Sequence, residues 1–216
     1  MTVIPSIKIY RVLSVLADSG VSYRLLRNID NELPENLKVG KDIDILVRWK
    51  DIETFENLLK ENGFKKVPHP FFGDQFLYGV HPFRKYRNTS SNFFIDCHFE
   101  LACRSLNQGE WIPLDRVLQE RAWRFFGYHR IGKINLNTLD PCCEWIHLLT
   151  RCIFDKRLFS KGYTLRIRQL STQLSDDEQY ETARLVFFKF TEPLLNLIRT
   201  DRFSDIIREH LTFKDY

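Results

Sequence analysis

The sequence predicts an α+β fold: a small mixed β-sheet flanked by helices, followed by a part built of helices alone. Residues 41–47 and 92–101 alternate polar and apolar side chains, the period of a strand with one buried face. Residues 5–19 and 51–62 carry apolar stripes at helical spacing. Beyond about residue 137 helix starts recur without a further strand pattern. The expected division is an α/β domain over 1–136 and a helical C-terminal domain over 137–216.

Taken in order, residues 5–19 place Ile9, Val12, Leu13 and Leu16 on one stripe, and Gly20 is positioned to end that helix. Residues 21–27 read as a strand with Tyr23 and Leu25 on one face, and 28–39, polar and holding Pro34, as a loop. After the strand over 41–47, Asp51 can cap a helix whose stripe is Ile52, Phe55, Leu58 and Leu59, with Gly63 as its stop. Residues 64–67 and 75–80 read as strands, and the rest of 68–92, with its Pro, Gly and basic residues, as loop. In 92–101, Phe94, Asp96, His98 and Glu100 share one face, while Phe93, Ile95, Cys97 and Phe99 share the other. Residues 114–125 read as a helix and 130–136 as a short strand. Asp140-Pro141 is an N-cap and first-turn pair. Ser175-Asp176-Asp177-Glu178 has capping-box spacing, and the stretch from about Glu192 reads as helix.

The composition bounds the function classes. A hydrophobic share of 44% in 216 residues supports one large domain or two small ones. A net charge of +4, spread along the chain, leaves room for a phosphate-bearing ligand but lacks the concentrated basic face of a nucleic-acid binder. The five cysteines are odd in number and form no C-x-x-C pair, so the expectation is free thiols in a reducing cytoplasm. No apolar run is long enough to span a bilayer.

The chemistry concentrates at Gly40-Lys41-Asp42-Ile43-Asp44-Ile45-Leu46-Val47. Asp42 and Asp44 point to one face of the strand while Ile43 and Ile45 enter a core. Two carboxylates at the mouth of a buried strand repel one another unless a cation or a proton lies between them. A hard, oxygen-seeking ion such as Mg²⁺ satisfies the pair, and an edge strand with two solvated aspartates has the same spacing. If the strand carrying Asp96 pairs beside this one, three carboxylates converge, a geometry suited to phosphoryl transfer.

This run, followed by a helix and then by Phe94-Ile95-Asp96-Cys97-His98, resembles the nucleotidyltransferase superfamily of the polymerase-beta type, and in particular bacterial nucleotidyltransferase family proteins. The resemblance covers roughly residues 20–101, with a looser match through the helical remainder. It implies that Asp42, Asp44 and Asp96 bind divalent metal, Mg²⁺ or Mn²⁺, and carry the catalysis. It further implies transfer of a nucleotidyl group from a nucleoside triphosphate such as ATP to an unidentified hydroxyl acceptor, with release of pyrophosphate. The chain departs from the family where a Gly-Ser or Gly-Gly turn grips the triphosphate: the corresponding place reads Arg27-Asn28-Ile29-Asp30. Arg27, through its forked guanidinium, and Asn28, Lys41 and Arg84 are the candidate phosphate contacts in its stead. His98 is the candidate hydrogen-bonding neighbour of the metal site. Two rivals remain: a catalytically inactive nucleotide-binding or regulatory module of the same fold, and a phosphotransferase acting on glycans.

Overall fold

The computed structural model describes residues 2–29, 32–68, 83–104 and 111–210. The strand expected over 75–80 lies outside them. The chain sorts into two compact units, one of Met1–Leu101 with Phe125–Leu139, the other of Ala102–Arg124 with Asp140–Tyr216.

The first unit is built on a seven-stranded mixed sheet. Its strands are β1 (Tyr23–Leu25), β2 (Asp42–Val47), β3 (Phe64–Lys66), β4 (Phe83–Asn88), β5 (Phe94–His98), β8 (Gly127–Ile131) and β9 (Ile134–Thr138), in the order β3-β4-β5-β2-β1-β9-β8. β2 runs parallel to β5 and β1 parallel to β9, while the other neighbours are antiparallel. Helices α1 (Ser6–Asp18) and α2 (Ile52–Glu61) bury the expected stripes, Ile9, Val12, Leu13 and Leu16 from the first, Ile52, Phe55, Leu58 and Leu59 from the second. These side chains join Ile43, Ile45, Val47, Ile95 and Cys97 in one core. Each such side chain contributes about 1.5–3 kcal/mol when fully buried, and together they decide which face of the sheet is covered by helices. The even-numbered residues of β2 and β5 consequently point away from α1 and α2.

Two elements correct the sequence reading. β4 forms in a segment read as loop, because its alternation is carried by charges: Arg84 and Tyr86 reach Glu56 of α2, and Lys85 points to the other face. The single short strand expected over 130–136 is a hairpin, β8 and β9, closed by Gly132-Lys133 between paired Ile131 and Ile134. Gly132 has φ +58, which the tight turn requires and glycine adopts without steric cost.

The second unit holds a two-stranded sheet, β6 (Ala102–Arg104) with β7 (Trp111–Pro113), and helices α3 (Arg116–Arg124), α4 (Pro141–Thr150), α5 (Lys161–Ser171), α6 (Asp176–Phe187), α7 (Thr191–Arg199) and α8 (Phe203–His210). A π-helical stretch, Arg151–Lys156, continues α4. Asp140 caps α4 by accepting from the Cys142 N–H, with Pro141 in the first turn, and Ser175 and Glu178 close a capping box on α6, both at the residues expected. The hairpin β6–β7 and helix α5 are additions to the sequence reading. All five cysteines are free thiols. Among the described residues no helix is long and apolar enough to cross a membrane.

Candidate functional site

The face of the sheet opposite α1 and α2 carries the acidic residues. The parallel register of β2 and β5 pairs Asp44 with Asp96 and Asp42 with Phe94, so Asp44 and Asp96 stand side by side and Asp42 lies one step along the same face. Asp44 and Asp96 are buried, at 4% and 6% exposure, whereas Asp42 is partly open.

Basic groups meet the carboxylates. Arg27 lies 2.5 Å from Asp44 Oδ2, and His98 Nε2 lies 3.2 Å from Asp44 Oδ1. The Lys85 ammonium is 3.3 Å from Asp96 Oδ1 and 3.9 Å from Asp42 Oδ2, and it rests over the Phe94 ring at 4.8 Å. Phe83 stacks at a tilt on the His98 ring, 5.2 Å between centroids. Compensation of the acid charge is partial. Burial, then the charges of Asp42 and Asp44, push the Asp96 carboxyl from 3.8 up to about 7, with Lys85 pulling the other way. Asp96 Oδ1 is buried and, although close to Lys85, has no aligned hydrogen bond; Arg27 Nη1 is likewise buried without an acceptor among the described residues.

The remaining candidates are dispersed. Asn28 is engaged elsewhere, its Nδ2 beside His129 Nε2 at 3.0 Å and its Oδ1 accepting from the Leu33 N–H. Lys41 is exposed at the entry to β2. Arg84 faces the helix side of β4, 2.8 Å from Glu56 and over the Trp49 and Phe99 rings. Its neighbour Lys85 is the basic residue that meets the acids. The signal for Lys85 is the period of two: once β4 is accepted as a strand, residues 84 and 85 must point to opposite faces.

The donor set suits a hard divalent ion such as Mg²⁺ or Mn²⁺: carboxylate oxygens with surplus negative charge and one buried oxygen lacking a hydrogen bond. As the side chains stand, no three His, Cys, Asp or Glu among the described residues form a metal-ligating group, and Arg27 and Lys85 take up part of the charge instead.

The fold and this face define an α+β protein with a carboxylate cluster on adjacent parallel strands. Similar solved structures include the lincosamide antibiotic adenylyltransferase LnuA in its lincomycin-bound form, at 11% identity and a TM-score of 0.46 over 80% of this chain and 100% of that one. The antibiotic-resistance factor ANT(2'')-Ia is similar at 10% identity and a TM-score of 0.49, over 96% of this chain and 97% of that one. An antigenic nucleotidyltransferase-like protein from Paracoccidioides brasiliensis is similar at 16% identity and a TM-score of 0.49, over 96% and 95%. No protein-family model and no curated protein matches this chain.

Proposed function

We propose that the protein is a divalent-metal-dependent nucleotidyltransferase, moving a nucleotidyl group from a nucleoside triphosphate to a hydroxyl acceptor. The observation that carries this reading is the parallel pairing that sets Asp44 beside Asp96 with Asp42 on the same face. Asp42, Asp44 and Asp96 would hold Mg²⁺ or Mn²⁺, which when bound supplies charge neutralisation on the triphosphate and a lowered pKa at the acceptor hydroxyl. The chain's own groups have separate tasks. In the metal-free protein the Asp96 carboxyl keeps its proton up to about pH 7; it would give that proton up on ligating a divalent ion and, as a carboxylate, is suited to accept a hydrogen bond from the acceptor hydroxyl. The buried, unpartnered Nη1 of Arg27 is suited to donate to a phosphate oxygen, in place of the backbone N–H groups of a glycine turn.

A second reading is favoured by one observation: both oxygens of Asp44 already have neighbours, Arg27 and His98. On that reading the same face binds a nucleotide without turning it over. Incubation with labelled triphosphates, Mn²⁺ and a pool of hydroxyl compounds separates the two. Pyrophosphate release that disappears in Asp96→Asn supports the transferase; stoichiometric binding without turnover supports the module. Undiminished Mn²⁺ and nucleotide affinity in Asp44→Asn would overturn both.

A further inference from the structure

The second unit contains a cavity of about 710 Å³, within the range of small-molecule pockets. Strands β6 and β7 supply Cys103, Arg104 and Ile112 to its lining, and Phe154, Val186 and Phe188 supply much of the rest. Two irregularities of the backbone fall on it. Phe154 belongs to the π-helical stretch, a form concentrated at functional sites. Phe188 adopts φ +50, ψ −120, a strained conformation for a bulky residue, and is 74% exposed. An apolar cavity whose rim holds an aromatic ring open to water is one that gains by being filled.

Arg104 brings a positive group to the lining of this cavity. Arg104 lies 3.4 Å from Asp155 Oδ1, while Asp155 Oδ2 lies 2.8 Å from Arg151. Arg104, with its side chain 47% exposed and seated over the Trp111 ring, keeps part of its guanidinium open to a ligand. The acid in the lining, Asp115, accepts at Oδ1 from the Val117 N–H at the start of α3 and keeps its negative charge, which its exposure to water screens.

We infer that this cavity is a binding site for a small molecule with an apolar, aromatic-sized body and a single anionic group, a carboxylate or sulfonate, received by Arg104. The inference stands apart from the nucleotidyl-transfer reading, since every residue it uses lies in the second unit.

A matched pair of probes tests it: anilinonaphthalene sulfonate, and N-phenyl-1-naphthylamine, which lacks the sulfonate. Cys103 lines the cavity and is partly exposed, whereas the other four cysteines are buried, so maleimide modification at mildly alkaline pH reports on this wall. The expected result is saturable one-to-one binding of both probes, with the sulfonate about tenfold tighter, the size of one solvent-touched charged hydrogen bond. Saturating probe should slow Cys103 modification about tenfold or more, read by mass spectrometry. Arg104→Gln should erase the sulfonate's advantage and leave the neutral probe's affinity unchanged. Ile112→Trp, at a half-exposed strand position, should weaken both probes. The inference is overturned if bound probe leaves the rate at Cys103 unchanged, if the two probes bind wild-type protein equally, or if Arg104→Gln retains the difference. The labelling experiment needs no variant, so failure of a variant to fold does not protect the proposal.

Discussion

Asp44 and Asp96 stand opposite one another on neighbouring parallel strands, both buried, with Arg27 against the first and Lys85 against the second. Like charges so placed cost stability unless a proton or a cation intervenes. That tension gives the site its most direct tests.

The first concerns pH. Asp96 titrates near 3.8 in an unfolded chain and at about 7 in the folded one. Between those values the unfolded chain releases a proton that the folded chain keeps, so stability present below about pH 4 is lost as the pH rises to about 7. In protein stripped of divalent ions, Asp96→Asn should flatten this slope and stabilise the fold at pH 8 by about 2–4 kcal/mol. Urea denaturation at intervals from pH 4 to 8 measures it; the same slope in wild type and variant removes Asp96 as its source.

Arg27 and Asp44 make a buried ion pair, with side-chain exposures of 10% and 6%. Removing one partner leaves the other charged in a poorly solvated place, at a cost of about 3–5 kcal/mol. Arg27→Met should lower stability by that order, and adding Asp44→Asn should restore much of the loss. A double-mutant cycle in which the two losses simply add would show that the pair is not coupled.

Lys85 supplies a positive charge to Asp96 and Asp42. A divalent ion at the same carboxylates competes with it. Lys85→Gln should therefore destabilise the metal-free protein and tighten Mn²⁺ binding, by about tenfold if the lost competition is worth about 1.4 kcal/mol. Thermal shifts across a Mn²⁺ titration report this directly. A smaller Mn²⁺-induced shift in the variant would mean that Lys85 assists the ion and does not oppose it.

At the start of α4, Asp140 Oδ1 accepts from the Cys142 N–H at 3.0 Å and from Arg121 Nε at 3.0 Å. Asp140→Ala removes the cap and one partner of Arg121, and should cost about 1–2 kcal/mol. Amide exchange should quicken first in the opening turn of α4; protection unchanged at Cys142 would count against the cap.

Much of the architecture was open to reading in one dimension. The stripes of α1 and α2, the face shared by Asp42 and Asp44, and the caps at Asp140 and Ser175 follow from local rules: a helix repeats every 3.6 residues, a strand every two, and an orphan N–H needs an acceptor close in sequence. β4 escaped because the usual contrast of greasy and polar faces is absent there. Arg84 is matched by Glu56 on one side and Lys85 by Asp96 on the other, and neither match is visible until distant segments meet. The hairpin β8–β9 escaped because β8 is half exposed and carries little apolar pattern.

The sequence by itself determined which side chains share a face, since that depends on the backbone's own period. Only the tertiary structure decided which strands are neighbours, in what register, and therefore that Asp44 lies against Asp96 and that Lys85, not Arg84, reaches Asp96 and Asp42. Pairing across a sheet joins residues more than fifty apart in the chain, and the free energy that selects it comes from burying α1 and α2 against one face, not from anything within β2 or β5 alone.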